Sequence, residues 1–156
     1  MIRYDAYDAG WFRNLHSVYS KYQRLNKEEL TLHHLVPARL LYGELDVAVR
    51  MNFLKDVREC SETDMNDIDV MKHVAAAVRY LGRNRLLFTD LRPPNILVGP
   101  DVDQVYLVDY DDMRVTEAPL LTAEDFTKAM DSCGFPQQNN YMNENNEVFQ
   151  ECLAIK

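Results

Sequence analysis

The chain is 156 residues long, which suits one domain with a core of its own. Hydrophobic residues make up 47% and charged residues 27%, the balance of a folded chain rather than a disordered one. With 17 Lys and Arg against 25 Asp and Glu the net charge is −8, which argues against duplex DNA or RNA as a partner because phosphate backbones need a basic face. A nucleotide carried with Mg2+ is not excluded, since the cation offsets the charge locally.

Cys60, Cys133 and Cys152 are widely spaced and odd in number, with no CxxC pair and no Cys/His cluster. They read as free thiols rather than a zinc site or a disulfide framework. The opening stretch MIRYDAYDAGWF lacks the apolar core and basic flank of a signal peptide, and no apolar run approaches membrane-spanning length. The expectation is a soluble, cytoplasmic protein with no membrane partner.

In chain order, residues 1–10 are polar and aromatic and read as a flexible arm. Trp11, Leu15, Val18, Tyr22 and Leu25 recur at helical spacing and predict a helix over 11–25. A second helix is expected over 27–35, with Asn26 as its cap and Glu28 and Glu29 in the first turn. Pro37 ends it. ARLLYGEL and DVAVRMNFL then read as a hairpin turning at 43–46. Residues 55–66 are charged and turn-like. Residues 67–82 carry the clearest helical pattern, with Ile68, Met71, Val74, Ala75, Val78 and Leu81 on one face, Asp67 able to cap the start and Gly82 the end.

Leu86–Phe88 is a short apolar run. TDLRPPN is a loop, since two prolines exclude a helix interior. ILV and QVYLVDY are expected to pair as strands across GPDVD. Helices are expected over 122–133 and 144–155, with the polar loop PQQNNYMNENN between them. There is no internal repeat. The order of elements gives one α+β domain.

The segment LLFTDLRPPNILVGPDVDQVYLVDYDDM, residues 86–113, concentrates the chemistry. Pairing ILV with YLV returns Asn95 to the side of Asp109, and Asp90 stands a loop's width away. Phosphoryl transfer needs hard oxygen ligands for Mg2+ and a further oxygen to orient the attacking hydroxyl, held by rigid strands. Each of these residues alone is an ordinary turn former; together they place three oxygens at one point.

These residues resemble the protein kinase superfamily, whose signature is H-R-D-L-x-x-x-N followed by D-F-G. Phe88–Asn95 stands for the catalytic loop and Asp109-Tyr110-Asp111 for the metal-binding triplet. The resemblance covers about residues 30–113 and is specific over 75–113. It implies a kinase-like fold made mainly of hinge and large-lobe elements: a reduced small lobe and hinge over 11–54 and a reduced large lobe over 55–156. The helix ending near Leu35 would be the remnant of the small lobe's regulatory helix. VAVRMNFL would be the last small-lobe strand and hinge, with Met51, Asn52 and Phe53 at the adenine edge and Leu97 beneath the base. Asp90 would be the catalytic base, Arg92 a phosphate contact, and Asn95 and Asp109 the Mg2+ ligands, with Mg2+ and ATP as cofactors.

The sequence departs from that pattern in several places. There is no Gly-rich loop and no V-A-I-K lysine; the nearest string, VAVRM, carries Arg50. Phe88 replaces the catalytic-loop histidine, and Asp111 stands where the triplet has glycine. Two functions are therefore expected. One is a phosphotransferase acting from Mg-ATP on a hydroxyl. The alternative is a pseudokinase-type interaction module that contacts a protein partner or a second copy of itself.

Elsewhere, His33 and His34 are adjacent and too divergent on a helix to chelate one ion, and His73 reads as solvated. The aromatics Tyr4, Tyr7, Trp11, Phe12, Tyr19 and Tyr22 read as a cover for apolar sheet surface, or as a contact surface for another chain.

Overall fold

A computed structural model describes residues 2–5, 9–43, 46–52, 54–101, 103–133 and 146–154. It is a mixed α+β structure with small antiparallel sheets. Strand β1 (Ile2–Asp5) is followed by helices α1 (Ala9–Tyr22) and α2 (Lys27–Leu32), then strands β2 (Ala38–Tyr42) and β3 (Asp46–Met51). β3 lies between β1 and β2 in a three-stranded sheet. The second part holds β4 (Arg58–Glu59), α3 (Glu62–Met65), α4 (Ile68–Arg83), β5 (Leu86–Leu87), β6 (Ile96–Val98), β7 (Val105–Leu107), β8 (Arg114–Val115), α5 (Ala123–Cys133) and α6 (Glu147–Ala154). β4, β6 and β7 form a second sheet, and β5 pairs with β8.

Residues 2–5, expected in a flexible arm, are a paired strand, with Ile2 opposite Val49 and Asp5 opposite Asp46. Its Ile-Arg-Tyr-Asp alternation is only four residues long, too short to announce a strand, and its partner lies more than forty residues away. α1 and α2 form in the regions that helical periodicity marks, but α1 starts two residues before the expected Trp11 and ends at Tyr22, leaving Leu25 outside it. The Asn26 side chain accepts from the Glu28 and Glu29 amides at 2.9 and 3.2 Å, satisfying two of the donors that open a helix. α2 stops at Leu32 rather than Leu35, because His34 turns left-handed at φ 63°. The stretch 55–66, expected as turns, contains β4 and α3. The latter starts in a capping box in which Ser61 and Asp64 bond each other's amides.

One apolar core runs through the whole described chain. α4 lies at its centre: Met71, Val74, Ala75, Val78 and Leu81 are all but inaccessible. Phe149, Cys152 and Leu153 of α6 pack against it, and Arg79 Nη1 donates to the Cys152 carbonyl at 2.5 Å. Gly82 does not close α4. The C-cap is Asn84, and Arg85 takes the left-handed position at φ 61°. Gly82 is a contact instead: a Cβ there would stand 2.5 Å from Phe126 Cζ and 3.1 Å from Leu120 Cβ. Glycine is what lets α5 close on α4.

The hairpin over the key segment forms one residue out of the expected register: Ile96 pairs with Leu107 and Val98 with Val105, so Val108 rather than Asp109 comes opposite Asn95. Its edge is stitched to the first half of the chain. The Leu107 amide donates to the His34 carbonyl at 2.9 Å, and Leu35 bridges Leu107 in parallel. His73, expected to be solvated, is half-buried, with its ring 4.1 Å from that of His34. His34 Nδ1 bonds the Val105 carbonyl at 3.0 Å. His33 stacks on Tyr80 at 4.5 Å. The all-round helix pattern hid these ring contacts because they join elements distant in sequence.

No described helix is long and apolar enough to cross a membrane. Cys60, Cys133 and Cys152 are free.

Candidate functional site

Two loops meet below the β6–β7 hairpin. The first runs from Phe88 to Asn95. Phe88 and Leu91 are buried and anchor it, and Pro93–Asn95 coil into a single 3-10 turn. The Asn95 amide donates to the Arg92 carbonyl at 2.9 Å, and Arg92 N to the Asp90 carbonyl at 3.1 Å. Asn95 is 5% exposed, rare for an amide, and its Nδ2 is spent on Asp90, at 2.7 Å to the carbonyl and 3.0 Å to Oδ2. An amide that gives its N–H to Asp90 turns its carbonyl oxygen the other way.

The second loop follows β7. Val108 N donates to the Asn95 carbonyl at 2.9 Å, so the start of this loop is hung directly on Asn95. Asp109 sits at φ 67°, a left-handed conformation that costs a non-glycine residue on the order of 1 kcal/mol or more and clusters at functional sites. Its best hydrogen bond is long, 3.5 Å from the Asp111 amide to Oδ1. Burial pushes the Asp109 carboxyl above its ordinary pKa; that hydrogen bond opposes the shift, the Asp112 and Asp90 carboxylates add to it, and Arg92 opposes it. Asp90 and Asn95 are thus bonded to each other, while Asp109 is tied to them through the Val108–Asn95 backbone bond and lies near enough to Asp90 and Arg92 to feel their charges. Thr89 Oγ1 donates to the Asp112 carbonyl at 2.6 Å and closes the two loops on each other.

Arg92 is where the geometry departs from expectation. It forks onto Asp90, Nε to Oδ1 at 2.5 Å and Nη2 to Oδ2 at 3.1 Å. The expected phosphate contact is thus paired with the expected base. The Asp90 side chain is 19% exposed and that of Arg92 48%, so the pair is open to water and to competition from an anion.

The four residues expected around a base are spread more widely. Met51 ends β3 and is 40% exposed. The Asn52 amide is already engaged, donating to the Pro37 carbonyl at 3.4 Å, so it is not a free donor for an adenine edge. Phe53 lies outside the described residues. Leu97 is half-buried on the side of β6 opposite Ile96 and Val98. Among the described residues no three His, Cys, Asp or Glu side chains form a metal-holding group.

Asn14 was not foreseen in the sequence, and neither were the contacts through which Tyr19, Tyr22, Tyr110 and Asp111 hold the site. The Tyr19 hydroxyl on α1 donates to Asp111 Oδ1 at 2.7 Å, and Asn14 Nδ2 on the same helix donates to the Met113 carbonyl at 3.1 Å. Asp111 is only 7% exposed, and burial, then repulsion by Asp112, raises its pKa to about 7. Tyr110 is the hub: its hydroxyl accepts from Val36 N at 2.9 Å and donates to the Leu107 carbonyl, and its ring stacks on Tyr22 at 4.4 Å. The Tyr22 hydroxyl closes the circuit on the Val36 carbonyl at 2.6 Å. Tyr19 and Tyr22 thus serve the core and the loop, while Trp11 and Phe12 are packed against the core at its margin. The only signal in the sequence was the density of aromatics.

No protein-family model matches this chain. Comparison with curated proteins gives no match either.

Proposed function

We propose that the chain is a kinase-like phosphotransferase of reduced size, binding Mg2+ and ATP and passing phosphate to a hydroxyl acceptor. The observation that carries this reading is that Asn95 and Asp90 are bonded to each other on one loop, and that Asp109 lies on a second loop hung from Asn95, within reach of the Asp90 charge. Asp109 fits a Mg2+ ligand: it is a half-buried carboxylate repelled by two others and poorly supplied with donors. The Asn95 carbonyl oxygen, turned from Asp90, supplies a second hard ligand, and water and phosphate oxygens complete such shells. Bound Mg-ATP would supply the transferable phosphoryl group and neutralise its charge. Asp90 then accepts the acceptor hydroxyl's proton at its carboxylate, and Arg92 leaves Asp90 for the phosphate.

The architecture is consistent with this. β3 ends the small sheet at Met51, the place a hinge strand would take before the chain passes to β4. The regulatory-helix role assigned to the helix near Leu35 falls to α1 instead, because α1 packs on β2 and bonds the 109–113 loop at two points. Free thiols fit the cytoplasmic setting that belongs to the same proposal.

One observation favours the second reading, a pseudokinase-type module acting by contact with a protein partner or a second copy. That observation is the Arg92 fork, which occupies the expected base Asp90. Thermal unfolding with and without millimolar Mg-ATP, followed by a radiolabelled phosphate-transfer assay, separates the two. The phosphotransferase predicts a stabilised protein and transfer that Asp90→Asn abolishes. No stabilisation overturns it; stabilisation without transfer leaves the contact module.

A further inference from the structure

A cleft of about 910 Å3 runs along β2, between that strand and the corner where α1 gives way to α2. None of Asp90, Asn95 and Asp109 lines it. Its lining includes the cations Arg24, Lys27, Arg39 and Arg50 and no carboxylate, in a chain with 25 acids to 17 Lys and Arg. All four cations are exposed, and none forms an ion pair among the described residues.

Arg39 and Arg50 stand directly opposite each other across the β2–β3 pair. Like charges so placed destabilise an antiparallel ladder. Such a pair at one strand edge could serve to repel other edges. That account does not extend to Arg50, which lies on the central strand, nor to Arg24 and Lys27, which come from the helical corner. The four together build a positive field over a partly apolar wall that includes Leu25, Leu30 and Leu41.

β2 is an outer strand, and no described strand pairs with its free edge. An open edge beside a groove is the geometry that adds an extended peptide, with main-chain bonds for affinity and alternate side chains for specificity. We infer that this cleft receives an acidic, extended peptide of a partner protein as a fourth strand on β2. Its carboxylates, on one face, meet Arg39 and Arg50; its apolar side chains, on the other, meet the half-buried Leu25. A second copy of this chain is the wrong occupant, because pairing two β2 edges sets cations against cations. The inference stands apart from the phosphotransfer reading and does not need it.

The test is fluorescence anisotropy on the full chain with the labelled probe peptide Glu-Val-Glu-Leu-Glu-Val-Glu-Leu. Three comparisons accompany it: a peptide of the same composition with the alternation scrambled, the peptide with Lys in place of Glu, and inorganic phosphate as competitor. The alternating acidic peptide should bind, more weakly as salt rises. Arg39→Glu and Arg50→Glu should each weaken it about tenfold or more. Each of these variants turns a repelling pair into an attracting one, so its melting temperature should not fall, and a folding defect is thereby separated from lost binding. Asp109→Asn should bind as the wild type does. Absence of binding overturns the inference, as does equal binding of the Lys peptide or of the scrambled peptide. Displacement by millimolar phosphate would make the cleft a simple anion site and overturn it too, as would unchanged affinity in both Arg variants.

Discussion

The Tyr19 hydroxyl donates a 2.7 Å hydrogen bond to Oδ1 of the buried Asp111, joining α1 to the loop that carries Asp109. A carboxyl so enclosed is held against ionisation, and its one bond from Tyr19 couples the first helix to the centre of the candidate site.

The Asp111 pKa stands at about 7, raised first by burial and then by Asp112. A group whose folded pKa exceeds its unfolded one contributes stability that is complete below the unfolded pKa, near 3.8, and lost as pH rises through the folded one. This contribution should therefore fall by up to about 1.4 kcal/mol per pH unit between roughly pH 4 and 7. Asp111→Asn should lack that dependence. Denaturation from pH 4.5 to 8 should show the variant gaining on the wild type as pH rises.

Tyr19→Phe removes the donor and leaves Asp111 buried without it. A buried acceptor left unsatisfied costs about 1–3 kcal/mol. Chemical denaturation should show a loss of that order at neutral pH, shrinking when Asp111→Asn is also present, because the two residues share one interaction.

Asp109→Asn keeps a residue type that tolerates the left-handed backbone and removes the charge. The wild type should gain RT ln(1+[L]/Kd) from Mg-ATP, about 2.7 kcal/mol at a hundredfold excess over Kd. The variant should lose that gain in a thermal-shift titration. A shift that survives would place the cation elsewhere.

Gly82→Ala would gain helix propensity of about 1 kcal/mol but drive a methyl to 2.5 Å from Phe126 Cζ. Overpacking of this kind costs about 1–3 kcal/mol, so the variant should be destabilised on balance. Adding Phe126→Leu should relieve the clash, and the melting temperature of the double variant should exceed that expected from the two single changes.

Arg39→Glu faces Arg50 with an opposite charge. Replacing repulsion with attraction across a strand pair should raise stability by about 0.2–1 kcal/mol, read in low salt by denaturant unfolding and diminished in high salt.

Much of the fold was legible because its causes are local. α4 declares itself through a face of Met71, Val74, Ala75 and Val78, and α2 through the Asn26 cap. The Ile96–Val98 hairpin with Val105–Leu107 needs only a short turn between two β-rich runs, so the joining of the Asp109 loop to Asn95 follows from residues close in sequence, whereas the one-residue slip of its register does not. β1 was not legible, because four polar and apolar residues become a strand only when β3 is there to pair with. Gly82 suggested a helix end by its type, yet it is the approach of Phe126 that uses it.

What the sequence by itself determined was the adjacency of two loops: helix periodicity, caps, prolines and a hairpin are interactions over a few residues, and they suffice to bring the Asp90–Asn95 loop against the loop that carries Asp109. What only the tertiary structure decided was the company their side chains keep. The pairing of Arg92 with Asp90, the burial of Asp111 beneath Tyr19 and the alignment of Arg39 with Arg50 depend on rotamer, burial and strand register. Those are settled by packing between segments far apart in the chain, where no local pattern reaches.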